Sequence, residues 1–78
     1  MEIKLLGPED AAVLAAVDPD VFDDPIDPRA TNEFLGDPRH PLVAAIDDGM
    51  VVGFASAVQY VDPDKRRPEM WINEVGVA

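Results

Sequence analysis

Two hydrophilic side chains, Asn73 and Glu74, interrupt an otherwise apolar segment of the sequence, Met70 to Ala78 (MWINEVGVA). The segment is typical of a β-strand, and a carboxylate on such a strand is expected to be partly buried. Burial disfavours the charged form, so it raises the pKa of a carboxyl group toward neutral pH and suits it to act as a general base. Glu74 is therefore a candidate catalytic base. The alternative is that Glu74 only satisfies a backbone donor or pairs with Arg66.

Asn73 is the neighbouring candidate, and it can share a site with Glu74 only if the strand is irregular. Successive side chains of a regular strand point to opposite faces of the sheet. Asn73 and Glu74 can therefore enter one site only where a β-bulge interrupts the strand.

Acidic residues dominate the charge of the chain. There are 16 acidic and 6 basic residues, giving a formal charge of −10, and the stretch between Leu5 and Pro28 holds seven acids and no base. Such a field repels nucleic acid and anionic lipid and attracts cations. We therefore expect no nucleic acid or membrane partner, and a cationic amine as the ligand that the field favours. The alternative is that the charge serves solubility.

The sequence offers no cluster of metal ligands. It has no cysteine and a single histidine, His40, with no second histidine near it, so we expect no disulfide and no metal site. Met1 is not followed by the basic and then apolar pattern of a leader. The longest uncharged apolar stretch, Met50 to Val58, is shorter than the roughly 20 residues that span a bilayer. We expect a cytoplasmic protein without a membrane anchor.

The first elements that position these residues are a strand and a helix. Ile3 to Leu6 is a short apolar run that predicts a strand. Gly7 to Asp10 supplies a turn, a proline at a first helical position and two acids, which favour a helix over Ala11 to Val17. This helix must end before Asp18-Pro19, because the residue preceding a proline is forced out of the helical region.

A proline-rich loop and a second helix follow. Residues 18 to 28 hold three prolines and five aspartates, which predicts an irregular exposed loop with a few apolar anchors. Asp27 is placed as an N-cap and Pro28 at the first helical position, so a short helix is predicted over Arg29 to Leu35, closed by Gly36.

From Leu42 onward the pattern is that of an antiparallel sheet. Leu42 to Ile46 predicts a strand, Asp47 to Gly49 a tight hairpin turn, and Met50 to Val61 a long second strand. After a charged turn over 62 to 68, Glu69 to Val77 predicts a third strand. The fold class is α+β: strand, helix, helix, then a three-stranded antiparallel meander with helices covering one face.

Alternation along the long strand predicts which side chains share a face. Gly53, Ala55 and Ala57 are expected on the face that a helix approaches. Trp71 and Tyr60 are expected to be cross-strand partners in the core. The opposite face is expected to carry Met50, Val52, Phe54, Val58 and Tyr60.

The element order, the phrase D-G-x-x-V-G at the hairpin and the closing strand E-V-G-V resemble the N-terminal half of a GNAT-type N-acetyltransferase. The resemblance covers essentially the whole chain and is strongest over HPLVAAIDDGMVVGFASAVQYVDPDKRRPEMWINEVGVA, residues 40 to 78. Within the family, the chain is most similar to aminoglycoside 3-N-acetyltransferases. It contains no Q/R-x-x-G-x-G/A loop, which in this family follows the fourth strand and holds the pyrophosphate of acetyl-CoA.

The resemblance implies roles for individual residues. Glu74 is implied as a general base or as the acceptor of a proton relayed by water, with Asn73 beside it at an expected bulge. Val75 and Val77 are implied to offer backbone N–H groups to the pantetheine arm and the thioester carbonyl of acetyl-CoA, and Gly76 to permit close approach of that cofactor. The alternative is that both valines are ordinary core residues with paired amides.

The acceptor side of such a site is implied to come from the acidic loop. Asp23 and Asp24, with Asp20 and Asp27 near them, are candidates to gather a cationic substrate, and Phe22 to pack against its rings. The alternative is that these aspartates only cap and solvate the loop, because aspartates beside prolines are routine turn formers.

The resemblance implies that residues 1–78 are the N-terminal part of a single acetyltransferase domain that moves acetyl from acetyl-CoA to a primary amine, an aminoglycoside 3-amino group being one candidate. Without the pyrophosphate loop and the C-terminal half, we expect the isolated chain to be inactive. The alternative function is a non-catalytic module whose open strand edge recruits a partner or forms a homodimer.

Overall fold

The computed structural model describes all 78 residues of the chain. They form four β-strands, one 3₁₀ helix and one α-helix, with the bounds β1 Glu2–Leu5, 3₁₀ helix Pro8–Ala15, α1 Pro28–Gly36, β2 Leu42–Asp47, β3 Met50–Tyr60 and β4 Glu69–Val77. The strands make one antiparallel sheet in the order β1-β2-β3-β4. The predicted α+β class and element order are confirmed. No helix is long and apolar enough to cross a membrane.

The first helical segment differs from the prediction in type. It is a 3₁₀ helix, and the residues that follow it are hydrogen-bonded to the sheet: the Ala16 carbonyl accepts from the Val51 N–H at 2.8 Å, and the Asp18 N–H donates to the Val51 carbonyl at 3.0 Å. A 3₁₀ helix rises about 2.0 Å per residue against 1.5 Å in an α-helix, so the same residues reach farther. These bonds stop the helix before Asp18-Pro19, where the sequence predicted its end.

The second helix begins where its sequence predicts. The Asp27 carboxylate accepts from the Ala30 N–H at 3.2 Å, and Pro28 occupies the first turn. Because this cap satisfies a donor that has no partner inside the helix, it fixes the start of α1 and the end of the acidic loop. Thr31 and Leu35 are the buried residues of α1.

The hairpin between β2 and β3 is also as predicted, and local residue types explain it. Asp48 and Gly49 have φ values of 52° and 79°. Positive φ at both central residues is the geometry of a type I′ turn, which suits the twist of paired strands and favours aspartate followed by glycine.

A bulge in β3 overturns the predicted faces of that strand. Ala45 pairs with Gly53 and Ile46 pairs with Val51, which leaves Val52 without a partner. The extra residue moves Val51 onto the face that carries Phe54, and Val51 is fully buried. The prediction that Val52 and Met50 share the face of Phe54 was wrong, because alternation along one strand cannot reveal a shift in pairing with the next. The prediction that the helices approach the face of Gly53 and Ala55 was also wrong, since Phe54 and the buried Ser56 face the helical layer.

The core lies between the helical layer and the sheet. Phe22 from the acidic loop stacks on Phe54 with ring centroids 4.0 Å apart. Trp71 and Tyr60 are 60% and 53% exposed, so the expectation that both pack in the core was wrong: β4 is an edge strand, and the helical layer does not cover that end of the sheet. The buried cluster comprises Leu6, Leu14, Val21, Leu35, Leu42, Ala44, Val51 and Phe54.

Candidate functional site

The centre of the candidate site is a second bulge, in β4. Ser56 pairs with Glu74 and the next residue of β3, Ala57, pairs with Ile72, so Asn73 has no partner on β3. The bulge that the family resemblance implied is therefore present. Because a bulge interrupts the alternation of side chains, Asn73 and Glu74 can serve the same site although they are neighbours in the strand.

Asn73 and Glu74 both line one cavity of about 350 Å³. Its other walls come from the acidic loop, from the inward face of α1 and from the centre of β3. The cavity has an apolar interior in which Phe22, Phe34 and Phe54 take part, and a mouth bordered by carboxylates. The sequence-predicted catalytic and substrate-binding residues thus meet in one place, although about 50 residues of chain separate them.

Glu74 is exposed, so the prediction of partial burial was wrong, and burial does not support Glu74 as a base; what remains in favour of that role is its position beside the cavity. Its side chain shares a face with Ser56, toward the helical layer, but α1 and the acidic loop cover β2 and β3 more fully than they cover the edge strand. The ion pairs of the chain involve other residues, and Arg66 takes no part in them. The alternative pairing of Glu74 with Arg66 is therefore not formed.

Beyond the bulge, β4 turns two backbone amides outward. The Ala78 N–H donates to the Val52 carbonyl at 2.9 Å. Since successive peptide groups of a strand point to alternate sides, the N–H groups of Val75 and Val77 point away from β3. They lie at the open edge of the sheet, where the valine side chains are 66% and 71% exposed. The alternative of buried core valines is not what the structure shows.

Gly76 lies between these two valines, and its inner side is already filled. A Cβ atom built there would lie 2.1 Å from the Val21 carbonyl oxygen and 2.6 Å from a ring carbon of Phe54. The close approach that requires glycine is therefore made by the chain's own acidic loop. A ligand can reach Gly76 only from the edge or from the outer face of the sheet.

The acidic loop contributes both an aromatic ring and charge. Phe22, Asp23 and Asp24 line the cavity together with Asp27. Asp20 lies outside it, and its N–H donates to the Asp18 side chain at 2.9 Å, as expected of a turn former. Asp27 has both a structural and a cavity-lining position, since it caps α1 and borders the cavity.

Two carboxylates outside the cavity are tied into local structure. Hydrogen bonds from the Arg39 side chain and backbone hold the pKa of Asp37 far below its usual range. A hydrogen bond from the Gly7 N–H, helped by Lys4, lowers the pKa of Asp10. These two groups anchor the ends of helices and take no part in the cavity.

Sequence reasoning missed two residues of the site, Thr31 and Ser56. Both line the cavity, and only 7% and 3% of their surfaces are exposed. They are the sole threonine and the sole serine of the chain. That scarcity was the available signal, but it acquires meaning only when α1 and β3 are brought face to face.

No protein-family model matches the chain, and no curated protein matches it by sequence. Solved structures do. A ribosomal-protein-alanine N-acetyltransferase from Brucella melitensis biovar Abortus 2308 aligns with a TM-score of 0.68 and 23% identity, over 97% of this chain and 55% of its own. An aminoglycoside acetyltransferase from an uncultured soil metagenomic sample aligns with a TM-score of 0.72 and 19% identity, over 99% and 57%. A mutant Bacillus halodurans protein gives 0.57 and 14%, over 100% and 62%.

At these identities the likeness concerns the fold. The chain shares an α+β half-domain fold with these structures, and it spans between 55% and 62% of their length. The matched part contains the bulged strand, the acidic loop and the cavity, because nearly all of this chain is aligned.

Proposed function

We propose that this chain is the N-terminal portion of an N-acetyltransferase domain that transfers the acetyl group of acetyl-CoA to a primary amine. One observation carries the proposal: the bulge at Asn73 places a carboxylate, an amide side chain and two outward backbone amides beside a cavity with an acidic mouth. The acetyltransferase fold of the structural neighbours supports the same reaction class.

The open edge of β4 fits the donor. The pantetheine arm of acetyl-CoA carries amide groups, and an extended amide chain can pair with an exposed strand edge as an added strand does. The N–H groups of Val75 and Val77 supply donors of the right kind, and one of them can also donate to the thioester carbonyl oxygen. Donors already aimed at an oxygen that gains negative charge lower the barrier without reorganising.

The acidic mouth fits an amine. Asp23, Asp24, Asp27 and Glu74 all border the cavity, and no basic residue does. An aliphatic ammonium has a pKa of about 10.4, by analogy with lysine, so at neutral pH it arrives charged and must lose a proton before its nitrogen can attack. The carboxylates attract the charged form to the place where it is deprotonated.

The steps then balance. Glu74, directly or through a water molecule, accepts one proton from the ammonium. The freed nitrogen lone pair forms a bond to the thioester carbonyl carbon, the carbon–sulfur bond breaks, and the sulfur leaves with its electron pair. The second proton that the nitrogen loses as the amide forms passes to the sulfur and gives the thiol, and Glu74 releases the proton it accepted to the solvent. Asn73 holds the amine through a hydrogen bond that its side-chain carbonyl accepts. The protein remains unchanged at the end of the cycle.

The acceptor is proposed only as a class. The two named neighbours act, by their names, on a ribosomal-protein alanine and on aminoglycosides. An aminoglycoside amino group, including the 3-amino group, is one candidate for this chain, and the acidic cavity is compatible with such a polycation. We further propose that the protein acts in the cytoplasm, without nucleic acid or membrane as partner, in keeping with its net charge of −10.

Donor binding can be tested on the chain itself. We expect acetyl-CoA, added to ¹⁵N-labelled protein, to shift the amide resonances of Val75 and Val77 most. Val75→Pro removes an outward N–H without removing a bond to β3 and should weaken binding about tenfold. Met70→Pro is the matched control: its partner Gln59 donates to the Arg39 carbonyl at 2.9 Å, so the Met70 N–H also faces outward, but far from the bulge.

Two results would contradict the proposed donor site. One is a set of shifts, induced by acetyl-CoA, that includes other amides but omits those of Val75 and Val77. The other is equal weakening by the Val75 and Met70 variants, which would show that the bulge has no special part in binding.

A second candidate function is a homodimerisation module, favoured by the outer face of the sheet. Two rows of uncharged side chains cross all four strands on that face: Leu5, Val43, Ala55 and Val75, and Ile3, Ala45, Gly53 and Val77. The chain exposes 5663 Å², against about 4,700 Å² expected of a compact chain of this size. The difference is comparable with the roughly 800 Å² that one partner buries in a standard interface.

Sedimentation equilibrium distinguishes the two candidates. A dimerisation module is expected to be dimeric at micromolar concentration, and Val75→Lys should make it monomeric by placing a charge in one of the rows. If the chain is monomeric and binds acetyl-CoA at β4, the second candidate is excluded.

A further inference from the structure

The only two aliphatic hydroxyl groups of the chain face the same cavity from opposite layers. Thr31 lies on α1 and Ser56 on β3, and both line the cavity that contains Asn73 and Glu74. Their exposures of 7% and 3% make them the buried polar residues of the fold. Both belong to the interior of the cavity, whereas the carboxylates of the loop border its mouth.

Neither hydroxyl makes a hydrogen bond within the chain. The side-chain hydrogen bonds involve aspartates and their neighbours at helix and turn positions. The Nδ1 atom of His40 is the one fully buried side-chain nitrogen or oxygen that lacks a hydrogen-bond partner. The two hydroxyl oxygens also lack partners, so neither of them is fully buried. Each hydroxyl therefore lacks a partner within the chain and remains partly accessible, although buried polar groups are almost always hydrogen-bonded.

The charge of the cavity limits which partner they can have. Four carboxylates and no basic side chain line it, so an anionic group would be repelled. A hydroxyl group of Ser or Thr can donate one hydrogen bond and accept two. A neutral group that both donates and accepts, such as an alcohol, satisfies it without adding charge.

We infer that the acceptor of this site is an amino alcohol: a molecule whose ammonium group lies among the carboxylates at the mouth and whose hydroxyl group lies between Thr31 and Ser56. This inference rests on the proposed function, since it adds a specificity to the proposed acceptor site. The apolar wall formed by Phe22, Phe34 and Phe54 packs against the carbon frame that joins the two groups. A plain alkylamine of the same size leaves both hydroxyls without partners.

Matched ligands test the inference on the full 78-residue chain. The probes are trans-2-aminocyclohexanol, cyclohexylamine, which lacks the hydroxyl group, and cyclohexanol, which lacks the amino group. All three fit a cavity of about 350 Å³. Affinities are measured by titration followed by amide chemical shifts. Wild type is expected to bind the amino alcohol about tenfold more tightly than cyclohexylamine, because the amine alone leaves buried hydroxyls unpaired. Cyclohexanol, which lacks the charge, is expected to bind more weakly than the amino alcohol.

Variants identify the groups responsible. Ser56→Ala and Thr31→Val each remove one hydroxyl at nearly constant volume and should reduce the tenfold preference to threefold or less, because the amino alcohol loses a hydrogen-bond partner and cyclohexylamine no longer leaves that hydroxyl unpaired. Tyr60→Phe is the control, since it removes an exposed hydroxyl outside the cavity and should leave the preference intact. The amide spectrum of each variant verifies its fold, and either of the two variants suffices if the other does not fold.

The outcomes separate this inference from the proposed function. Equal affinity of wild type for the amino alcohol and cyclohexylamine overturns the inference and leaves the acidic amine site standing. A preference that survives both Ser56→Ala and Thr31→Val also overturns it, because other groups then hold the alcohol. Binding of neither amine removes the acceptor site itself, and the inference falls with it.

Discussion

Replacing Gly76 with alanine is expected to separate the acidic loop from the bulged strand. The added Cβ would lie 2.1 Å from the Val21 carbonyl oxygen and 2.6 Å from a ring carbon of Phe54, whereas Cβ contacts under 3.0 Å essentially never occur. The oxygen must therefore retreat by about 1 Å, and it belongs to the backbone of a residue that is only 4% exposed. Val21 can move only together with Phe22, whose ring is stacked on Phe54.

The expected loss of stability follows from the cost of overpacking. Inserting a methyl group into a packed site typically costs about 1–3 kcal/mol, and here backbone rather than a flexible side chain must yield. Gly53→Ala is the matched control on the neighbouring strand: the nearest atoms to its Cβ are 3.4 Å or more away. That change should be neutral or stabilise the chain by up to about 1 kcal/mol, since alanine restricts the unfolded state more than glycine.

Urea unfolding followed by far-ultraviolet circular dichroism measures both variants. We expect Gly76→Ala to be the less stable by about 2–3 kcal/mol, with a similar dependence on urea concentration, because both chains expose similar surfaces on unfolding. The same variant should weaken amine binding, since Phe22 and the aspartates beside it line the cavity. Equal stability of the two variants would refute the close contact between Gly76 and the loop.

Three further predictions concern the helix cap, the carboxylates and the proposed base. Asp27→Ala should destabilise the chain by about 1 kcal/mol in urea unfolding, because the Ala30 N–H loses its cap, while the exposed Asp24→Ala should change stability by less than about 0.5 kcal/mol. The pKa of Asp37 is lower in the folded than in the unfolded chain, so its contribution to stability is present above the ordinary value of 3.8 and is lost as pH falls below it. Asp37→Asn should therefore make the urea midpoint of unfolding depend less on pH below that value. A pH dependence equal to that of the wild type would contradict the assignment. In a polypeptide that spans the full length of the structural neighbours, Glu74→Gln should lower kcat by about 10²–10⁴-fold with little change in the KM for acetyl-CoA, and undiminished thiol release would exclude Glu74 as the base.

Local chemistry made several elements predictable. The cap of α1 depends on Asp27 and Pro28, and the type I′ turn on Asp48 and Gly49, which are effects of a few adjacent residues. Such effects do not depend on what the rest of the chain does. The position of Asn73 and Glu74 in an apolar strand was likewise visible without a structure, as was the acidic character of the loop at 18 to 28.

Pairing between strands decided what alternation could not. The unpaired Val52 carries Val51 into the core, and the unpaired Asn73 lets two neighbouring side chains line one cavity. Both shifts are properties of two strands taken together, so a pattern along either strand alone predicts the wrong face. The exposure of Glu74 has the same origin, because it depends on what covers the edge of the sheet rather than on the residues beside it.

The sequence by itself determined the order of the elements, the start of α1, the hairpin turn and the residue types available for proton transfer, since each of these follows from interactions over a few positions. Only the tertiary structure decided that the loop, α1, β3 and β4 share one cavity, and that Thr31 and Ser56 face it without partners. Thr31 and Ser56 are 25 residues apart along the chain, and packing of the helical layer on the sheet brings them to one cavity. Contacts of that kind depend on the burial of apolar surface by the whole chain, which no local pattern encodes.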